Sequence, residues 1–169
     1  MLIKAYHGTN VKNIESIQKN GYNFSSDKEW LGKGIYFFET LKPIVDGVTE
    51  AISWVKYVKK ERTWAVFEAT IESDLYFDLV EDIEHKKIYD KIRNRALELF
   101  IKAGNRRKDF KERIIYSKLE EREVDFIRVL VDASKHEGYY SYTVRRPQLQ
   151  VCVKDKRCIK ENTLYKQVV

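Results

Sequence analysis

Alternation of apolar and polar residues predicts several short β-strands along this chain. The alternation is clearest in residues 63–71, where Ala65, Phe67, Ala69 and Ile71 share one face. Residues 30–38 lead from a glycine-rich approach into an apolar, aromatic strand, because β-branched and aromatic side chains favour extended backbone. Weaker strand patterns occupy residues 2–7, 75–79, 125–131 and 139–153.

Apolar residues at helical spacing predict helices between these strands. Asn10 is the predicted N-cap of a first, short helix. A second helix is predicted over residues 48–60, with tryptophan and valine on one side and lysines on the other. From about residue 81 the pattern becomes helical again. Two helices joined at a glycine form a predicted helical hairpin over about residues 81–122.

This order of elements indicates the fold class. Strands and helices do not alternate as strictly as a parallel α/β sheet requires, so the pattern favours an α+β fold with mostly antiparallel strands. At 169 residues the chain is long enough to bury its own core. We therefore predict a single domain over residues 1–169, with the hairpin as an insertion.

Charge and cysteine content narrow the possible functions. Charged residues make up 34% of the chain, against the usual ~25%, and the net charge of +6 favours an acidic partner. Cys152 and Cys158 are predicted to be reduced thiols of a cytoplasmic protein, since no second cysteine pair completes a zinc site. No apolar run approaches the ~18 residues of a membrane span and no signal-peptide pattern is present. We expect neither a metal nor a membrane.

Three short motifs occur in the first third of the chain, separated by tens of residues or less. His7-Gly8-Thr9 comes first, Gly32-Lys33-Gly34-Ile35-Tyr36-Phe37 second and Ala51-Ile52-Ser53-Trp54 third. In this order they resemble the NAD-binding elements of the ADP-ribosyltransferases of the diphtheria-toxin and poly(ADP-ribose)-polymerase branch. The resemblance covers residues 5–54 and 145–159. It implies an ADP-ribosyltransferase-like fold, in which split antiparallel β-sheets surround an NAD cleft.

The resemblance also implies roles for individual residues. His7 would hydrogen-bond a ribose hydroxyl on the adenosine side of NAD, and Gly8 would offer backbone groups to the nicotinamide amide. Tyr36 would line the nicotinamide ribose site, and Trp54 would stack on the nicotinamide ring. The residues implied to bind NAD are His7, Gly8, Thr9, Gly34, Tyr36 and Trp54.

The last motif strand departs from the family, which commonly carries a glutamate at its start. This chain has Gln148 and Gln150, two residues apart and therefore on one face of a strand. Gln150 aligns better with the glutamate, whose charge stabilises the cation that develops as nicotinamide leaves. Glutamine keeps a hydrogen bond but supplies no charge. The resemblance therefore implies transfer of single ADP-ribose units, with His7, Tyr36 and Gln150 as catalytic residues.

A basic run at the bend of the predicted hairpin suggests where an acceptor could bind. Arg106, Arg107 and Lys108 stand together there. Such a run is typical of a solvated turn, but it also suits the phosphates of RNA or DNA, or an acidic antitoxin or immunity protein. We expect these residues and Gln148 to contact the acceptor, with nucleic acid slightly favoured over protein.

The sequence thus predicts an NAD-dependent mono-ADP-ribosyltransferase, a glycosyltransferase that modifies a macromolecule in the manner of a small toxin or effector. Two alternatives remain open: a non-catalytic NAD, ADP-ribose or nucleic-acid binding module of the same fold, and an RNA 2′-phosphotransferase. Taken singly, His7, Tyr36 and Trp54 are more typical of packing than of a site. Their common order along the chain favours the NAD hypothesis.

Overall fold

The computed structural model describes residues 1–120, 123–133 and 146–169. Within them the strands, numbered along the chain, are β1 (Leu2–Thr9), β2 (Ile35–Glu39), β3 (Trp64–Glu72), β4 (Tyr76–Asp78), β5 (Phe126–Asp132), β6 (Pro147–Val153) and β7 (Ile159–Val168). The helices are α1 (Ile14–Asn20), α2 (Gly47–Ser53), α3 (Ile83–Lys102) and α4 (Arg113–Glu120).

All seven strands belong to one sheet, in the order β4, β5, β6, β2, β1, β3, β7. Neighbouring strands are antiparallel, except that β4 and β5 are parallel. The predicted α+β class with mostly antiparallel strands is therefore confirmed. The expected pair of separate sheets is not what the described residues form, because β2 pairs with both β6 and β1. The ladder between β2 and β1 is nevertheless only two residue pairs long.

Helices and loops cover both faces of this sheet. The first face, here called the α1 face, is covered by α1 and the loop after it, in which Tyr22 is buried. The opposite face, called the α2 face, carries two separate hydrophobic clusters. One is packed by α2 and the helical turn that follows it, through Ala51 and Val55, and the other by α4 through Tyr116 and Leu119. The boundary between the two clusters falls at β6.

Most predicted elements are present with small shifts of their ends. The predicted hairpin corresponds to α3 and α4, which pack against each other, although residues 121 and 122 at its end lie outside the described residues. The helix predicted over residues 48–60 is α2 followed by a π-helical turn, Trp54–Val58. Asp46 caps its start, since the Asp46 side chain accepts a hydrogen bond from the backbone N–H of Val48.

The last part of the chain differs more from the sequence prediction. The strand predicted over residues 139–153 is described only from Pro147 onward, because residues 134–145 lie outside the described residues. The following strand, β7, is not predicted by the pattern. It pairs only with β3 among the described strands, at the edge of the sheet, and most of its side chains are exposed. An edge strand with polar residues on both faces lacks the alternation that identifies a half-buried strand.

Two sequence expectations bear on the chain's environment. Cys152 and Cys158 are free and buried, as predicted, and burial raises the pKa of Cys158 to about 12. Among the described residues, no helix combines the length and the apolar character that crossing a membrane requires.

A buried ion-pair network on the α1 face joins β5 to β2 and β4. The Nε atom of Arg128 lies 2.7 Å from Glu39 Oε2, and its Nη1 atom lies 3.3 Å from Asp78 Oδ1. The side chains of Arg128 and Asp78 are only 4% and 1% exposed, so water cannot solvate either charge. Because a buried charge needs a partner, the network fixes the distance of β5 from β4 and, across the intervening β6, from β2.

We expect Arg128→Ala to lower the free energy of unfolding by about 3–5 kcal/mol, because Asp78 would stay buried without its cationic partner. Lys87→Ala removes the exposed ion pair with Glu84 and is the matched control; it should cost less than about 1 kcal/mol. Urea unfolding followed by circular dichroism measures both variants. Equal losses would mean that the network contributes no more than a surface pair.

Candidate functional site

The three strands that carry the predicted catalytic residues are neighbours in the centre of the sheet. His7 lies on β1, Tyr36 on β2 and Gln150 on β6, and the sheet order places β2 between the other two. Between the first and the last of these residues the chain passes through β3, β4, α3, α4 and β5. The fold therefore brings together strands that sequence separation alone would keep apart.

The ladder between β1 and β2 ends beside His7. The two strands pair at Ala5 with Glu39 and at Tyr6 with Phe38, and pairing stops there. One residue further along β1, the side chain of His7 takes the place of a backbone partner: its Nδ1 atom lies 2.8 Å from the carbonyl oxygen of Tyr36. The two halves of the sheet therefore part at the predicted site.

This contact fixes the tautomer of His7. A carbonyl oxygen can only accept, so Nδ1 carries the proton and donates it. Burial lowers the pKa of His7, which favours the neutral ring. In the neutral ring with Nδ1 protonated, Nε2 presents a lone pair, and no described residue donates to it. The ring packs against Tyr22 and Phe37 on the α1 face, so Nε2 is an acceptor held in a fixed orientation.

Gly8 and Gly34 permit close packing. A Cβ atom on Gly8 would lie 2.2 Å from the carbonyl oxygen of Ala51, so only glycine lets α2 approach β1 this closely. A Cβ atom on Gly34 would lie 2.3 Å from Cys152 Sγ. Thr9, at the end of β1, accepts a hydrogen bond from the Asn13 side chain. In the structure the two glycines therefore allow close packing, and Thr9 is hydrogen-bonded to the helical turn that follows β1.

Tyr36 is tied to the loop that precedes its own strand. Its hydroxyl donates to the carbonyl oxygen of Gly32 at 2.9 Å and accepts from the backbone N–H of Leu31 at 3.1 Å. Burial raises the pKa of Tyr36 above its usual value, so the phenol stays protonated and keeps both hydrogen bonds. The glycine-rich approach is thereby held against the α2 face, on the side of the sheet opposite His7.

Trp54 lies on the same α2 face as Tyr36 but packs over a different residue of β2. Its ring centroid is 6.4 Å from that of Phe38, and the Lys59 ammonium lies 5.5 Å from the Trp54 ring centroid. The described ring contacts of Trp54 thus place it beside Tyr36 along β2 rather than against it. Trp54, which follows the last residue of α2, is half-buried.

Gln148 and Gln150 occupy the boundary between the two hydrophobic clusters of the α2 face, and both are buried. Trp30 Nε1 donates to Gln150 Oε1 at 3.2 Å, and Gln150 Nε2 donates to Gln148 Oε1 at 2.9 Å. Gln148 Nε2 in turn donates to Glu50 Oε2 at 2.5 Å. We call these four side chains, Trp30, Gln150, Gln148 and Glu50, the glutamine relay.

The chemistry of its two ends sets the direction of the glutamine relay. An indole N–H can only donate, so Gln150 must turn its oxygen toward Trp30, which leaves its amide group to donate to Gln148. A carboxylate can only accept, so Gln148 must turn its amide group toward Glu50. Both amides therefore point the same way, and each hydrogen bond polarises the next.

Glu50 brings a carboxylate to the start of β6 without being part of that strand. It lies on α2, where its side chain is 14% exposed, and Arg146 Nη2 lies 3.6 Å from Glu50 Oε2. Trp30 and Glu50 are the site residues that the sequence prediction missed. Glu50 precedes Trp54 by one helical turn, so the two share a helix face, and that spacing is the signal that could have identified it.

The basic bend is not part of this arrangement. Arg107 and Lys108 lie in a short helical turn after α3, and neither has an ion-pair partner among the described residues. Arg106 Nε lies 2.9 Å from Asp109 Oδ2. No described hydrogen bond or ion pair joins the bend to the glutamine relay. Likewise, among the residues that the structure describes, no group of three or more histidines, cysteines or acidic residues could hold a metal ion.

Comparison with known proteins adds one finding about the extent of similarity. No protein-family model matches this chain. The chain is 28% identical over 191 aligned residues to Uncharacterized protein MJ0359 of Methanocaldococcus jannaschii, and the alignment covers 95% of this chain and 86% of that protein. The similarity therefore runs along nearly the whole chain rather than along one motif.

Proposed function

We propose that this protein is an NAD-dependent mono-ADP-ribosyltransferase that modifies a macromolecular acceptor. The observation that carries the proposal is the adjacency of β6, β2 and β1 at a place where the β1–β2 ladder stops after two pairs. Three motif strands that lie far apart in sequence meet where the sheet parts. NAD would bind along this line of the sheet, with His7 on the α1 face and Tyr36 and Gln150 on the α2 face.

The state of His7 supports a role in holding a ribose hydroxyl. A hydroxyl group needs an acceptor in a defined place, and Nε2 of neutral His7 supplies a lone pair with a fixed direction. In the proposed reaction the bond between the ribose C1″ carbon and the nicotinamide nitrogen breaks, and nicotinamide leaves with the electron pair. The acceptor nucleophile then bonds to C1″ and gives up its proton to water.

The glutamine relay supports an answer to the missing glutamate charge. Positive charge develops on the ribose as nicotinamide leaves, and a negative group nearby lowers the barrier. Gln150 has no charge of its own. The carboxylate of Glu50, however, accepts from Gln148, which accepts from Gln150, so electron density shifts toward Gln150 Oε1. We propose that Glu50 acts through the two amides as a positioning residue.

Two other functions remain candidates. A non-catalytic module that binds NAD, ADP-ribose or nucleic acid would use the same binding site. It would need no group to stabilise a positive charge on the ribose. An RNA 2′-phosphotransferase would need cationic side chains around His7, whereas the described ring contacts of His7 are Tyr22 and Phe37. The structure therefore offers less support for phosphate chemistry beside His7 than for a ribose contact.

The decisive test is incubation of the protein with NAD labelled in its adenosine half, together with separate pools of protein, RNA and DNA. We expect label to enter one pool while nicotinamide is released in equal amount. Bound NAD without nicotinamide release would support the binding module. If the protein neither binds NAD nor releases nicotinamide, the proposal is excluded.

We expect Gln150→Ala to slow nicotinamide release by about 10²–10³, the loss seen when one charge-stabilising contact is removed. Gln148→Ala should be milder, because it leaves Gln150 in place and only disconnects Glu50. Gln167→Ala, at an exposed position of the edge strand β7, is the matched control and should leave the rate unchanged. Full activity in Gln150→Ala would show that Gln150 does not occupy the glutamate position.

We expect Glu50→Gln to lower the rate of nicotinamide release about tenfold, equivalent to ~1.4 kcal/mol in the barrier, with little change in NAD affinity. Glutamine keeps the shape and can still accept from Gln148, so the change removes charge while leaving the relay connected. Glu84→Gln, an exposed carboxylate of α3, is the control for general loss of charge. Loss of NAD affinity with an unchanged rate constant would indicate a purely structural role for Glu50.

A further inference from the structure

An open groove lies directly beside the glutamine relay. Its volume is about 560 Å³, which lies within the range of ligand sites in proteins. Its floor includes Val129 and Val131 of β5, which pair in the sheet with Gln150 and Gln148. Trp30 also lines the groove while it donates to Gln150. An acceptor that reaches the reacting end of NAD at Gln150 would therefore pass through this groove.

Three aromatic side chains form one end of the groove. The ring centroids of Trp30 and Tyr116 are 5.6 Å apart, and those of Tyr89 and Tyr116 are 5.8 Å apart. Burial and the neighbouring Glu112 carboxylate raise the pKa of Tyr89 to about 12, and burial raises the pKa of Tyr116 even further. Both phenols are therefore neutral, and Tyr89, which unlike the buried Tyr116 is partly exposed, offers an electron-rich face that suits a cation.

The charge of the groove is opposite to that of the whole chain. The described residues lining it include three carboxylates, Asp90, Glu112 and Asp132, and one ammonium, Lys86. The Lys86 ammonium donates to the carbonyl oxygen of Val80 at 2.8 Å and makes no ion pair with these carboxylates. The net charge of the chain is +6, so this negative groove is a local reversal. Phosphate groups would be repelled from it, and ammonium or guanidinium groups attracted.

We propose that the groove is the docking site for a basic segment of an acceptor protein. A lysine or arginine side chain of that segment lies against Trp30 and Tyr89, which Tyr116 supports from below, with its charge among Asp90 and Glu112. This assignment of the acceptor class rests on the proposed transferase function, whereas the binding of a basic segment does not. It replaces nucleic acid as the favoured acceptor, because the basic bend contributes none of the described residues that line the groove.

The test measures binding in the absence of NAD, so that it does not depend on catalysis. The probe is a fluorescently labelled peptide of twelve residues with four arginines, and fluorescence anisotropy follows binding at low salt. We expect Asp90→Asn combined with Glu112→Gln to weaken peptide binding about tenfold, because both carboxylates are exposed and removing them leaves the packed core unchanged. The effect should shrink as salt rises, since surface charges are then screened.

The matched control is Glu84→Gln combined with Glu98→Gln, which removes the same charge from exposed positions of α3 that do not line the groove. This control should bind the peptide as the unmodified protein does. Equal weakening in both double variants would overturn the proposal, because only net charge would then matter. Unchanged binding in the groove variant would also overturn it.

Two further probes separate the proposed partner from the other candidates. A single-stranded RNA of matched length should bind more weakly than the peptide, and spermidine should not displace the peptide at equal concentration of charge. RNA binding that is lost on Arg107→Glu with Lys108→Glu would instead assign the acceptor to nucleic acid at the bend. If the peptide binds as expected but labelled NAD never modifies it, the docking site stands and the transferase function fails.

Discussion

The burial of two glutamine side chains at the centre of the sheet constrains the rest of this site. Gln148 and Gln150 face the boundary between two hydrophobic clusters, where an unpaired amide would cost about 1–3 kcal/mol. Each amide therefore needs partners from outside its strand. Trp30 comes from the loop before β2, and Glu50 from α2, so two amides on β6 fix the positions of both elements.

Apolar side chains in place of the glutamines would join the two clusters into one continuous core. Gln148 and Gln150, a polar row along β6, instead separate the part of the α2 face that α2 packs against from the part that the α3–α4 hairpin packs against. On the β2 side of the row lies Tyr36, and on the β5 side lies the groove lined by Tyr89 and Tyr116, while His7 lies on the opposite face of the sheet. The proposed position of the nicotinamide end of NAD, at Tyr36 and Gln150, and the proposed acceptor groove therefore flank one relay; a transfer reaction must hold two substrates at once.

Local patterns predicted most of the fold but little of the detailed site. The alternation in residues 63–71 predicts β3 within one residue at each end, and the helical spacing after residue 81 predicts the hairpin, because both depend on periodicity that the core imposes. β7 could not be predicted, since its partner is found only through the tertiary pairing with β3. The position of His7 on β1 was predictable; its bond to the Tyr36 carbonyl was not. Trp30 and Glu50 were missed for the same reason, because 120 and 98 residues separate each from its glutamine partner.

The short ladder between β1 and β2 is the weakest connection between neighbouring strands in this sheet. β1 is held to β3 by eight residue pairs but to β2 by two, with the single His7 side-chain bond beyond them. Opening the sheet along this line separates two residue pairs, fewer than any other ladder of the described strands; the ladder between β4 and β5 has three. The amide proton of β1 that bonds to β2 would exchange through such an opening, while those that bond to β3 would wait for global unfolding. The sheet can therefore open along this line while each half stays folded.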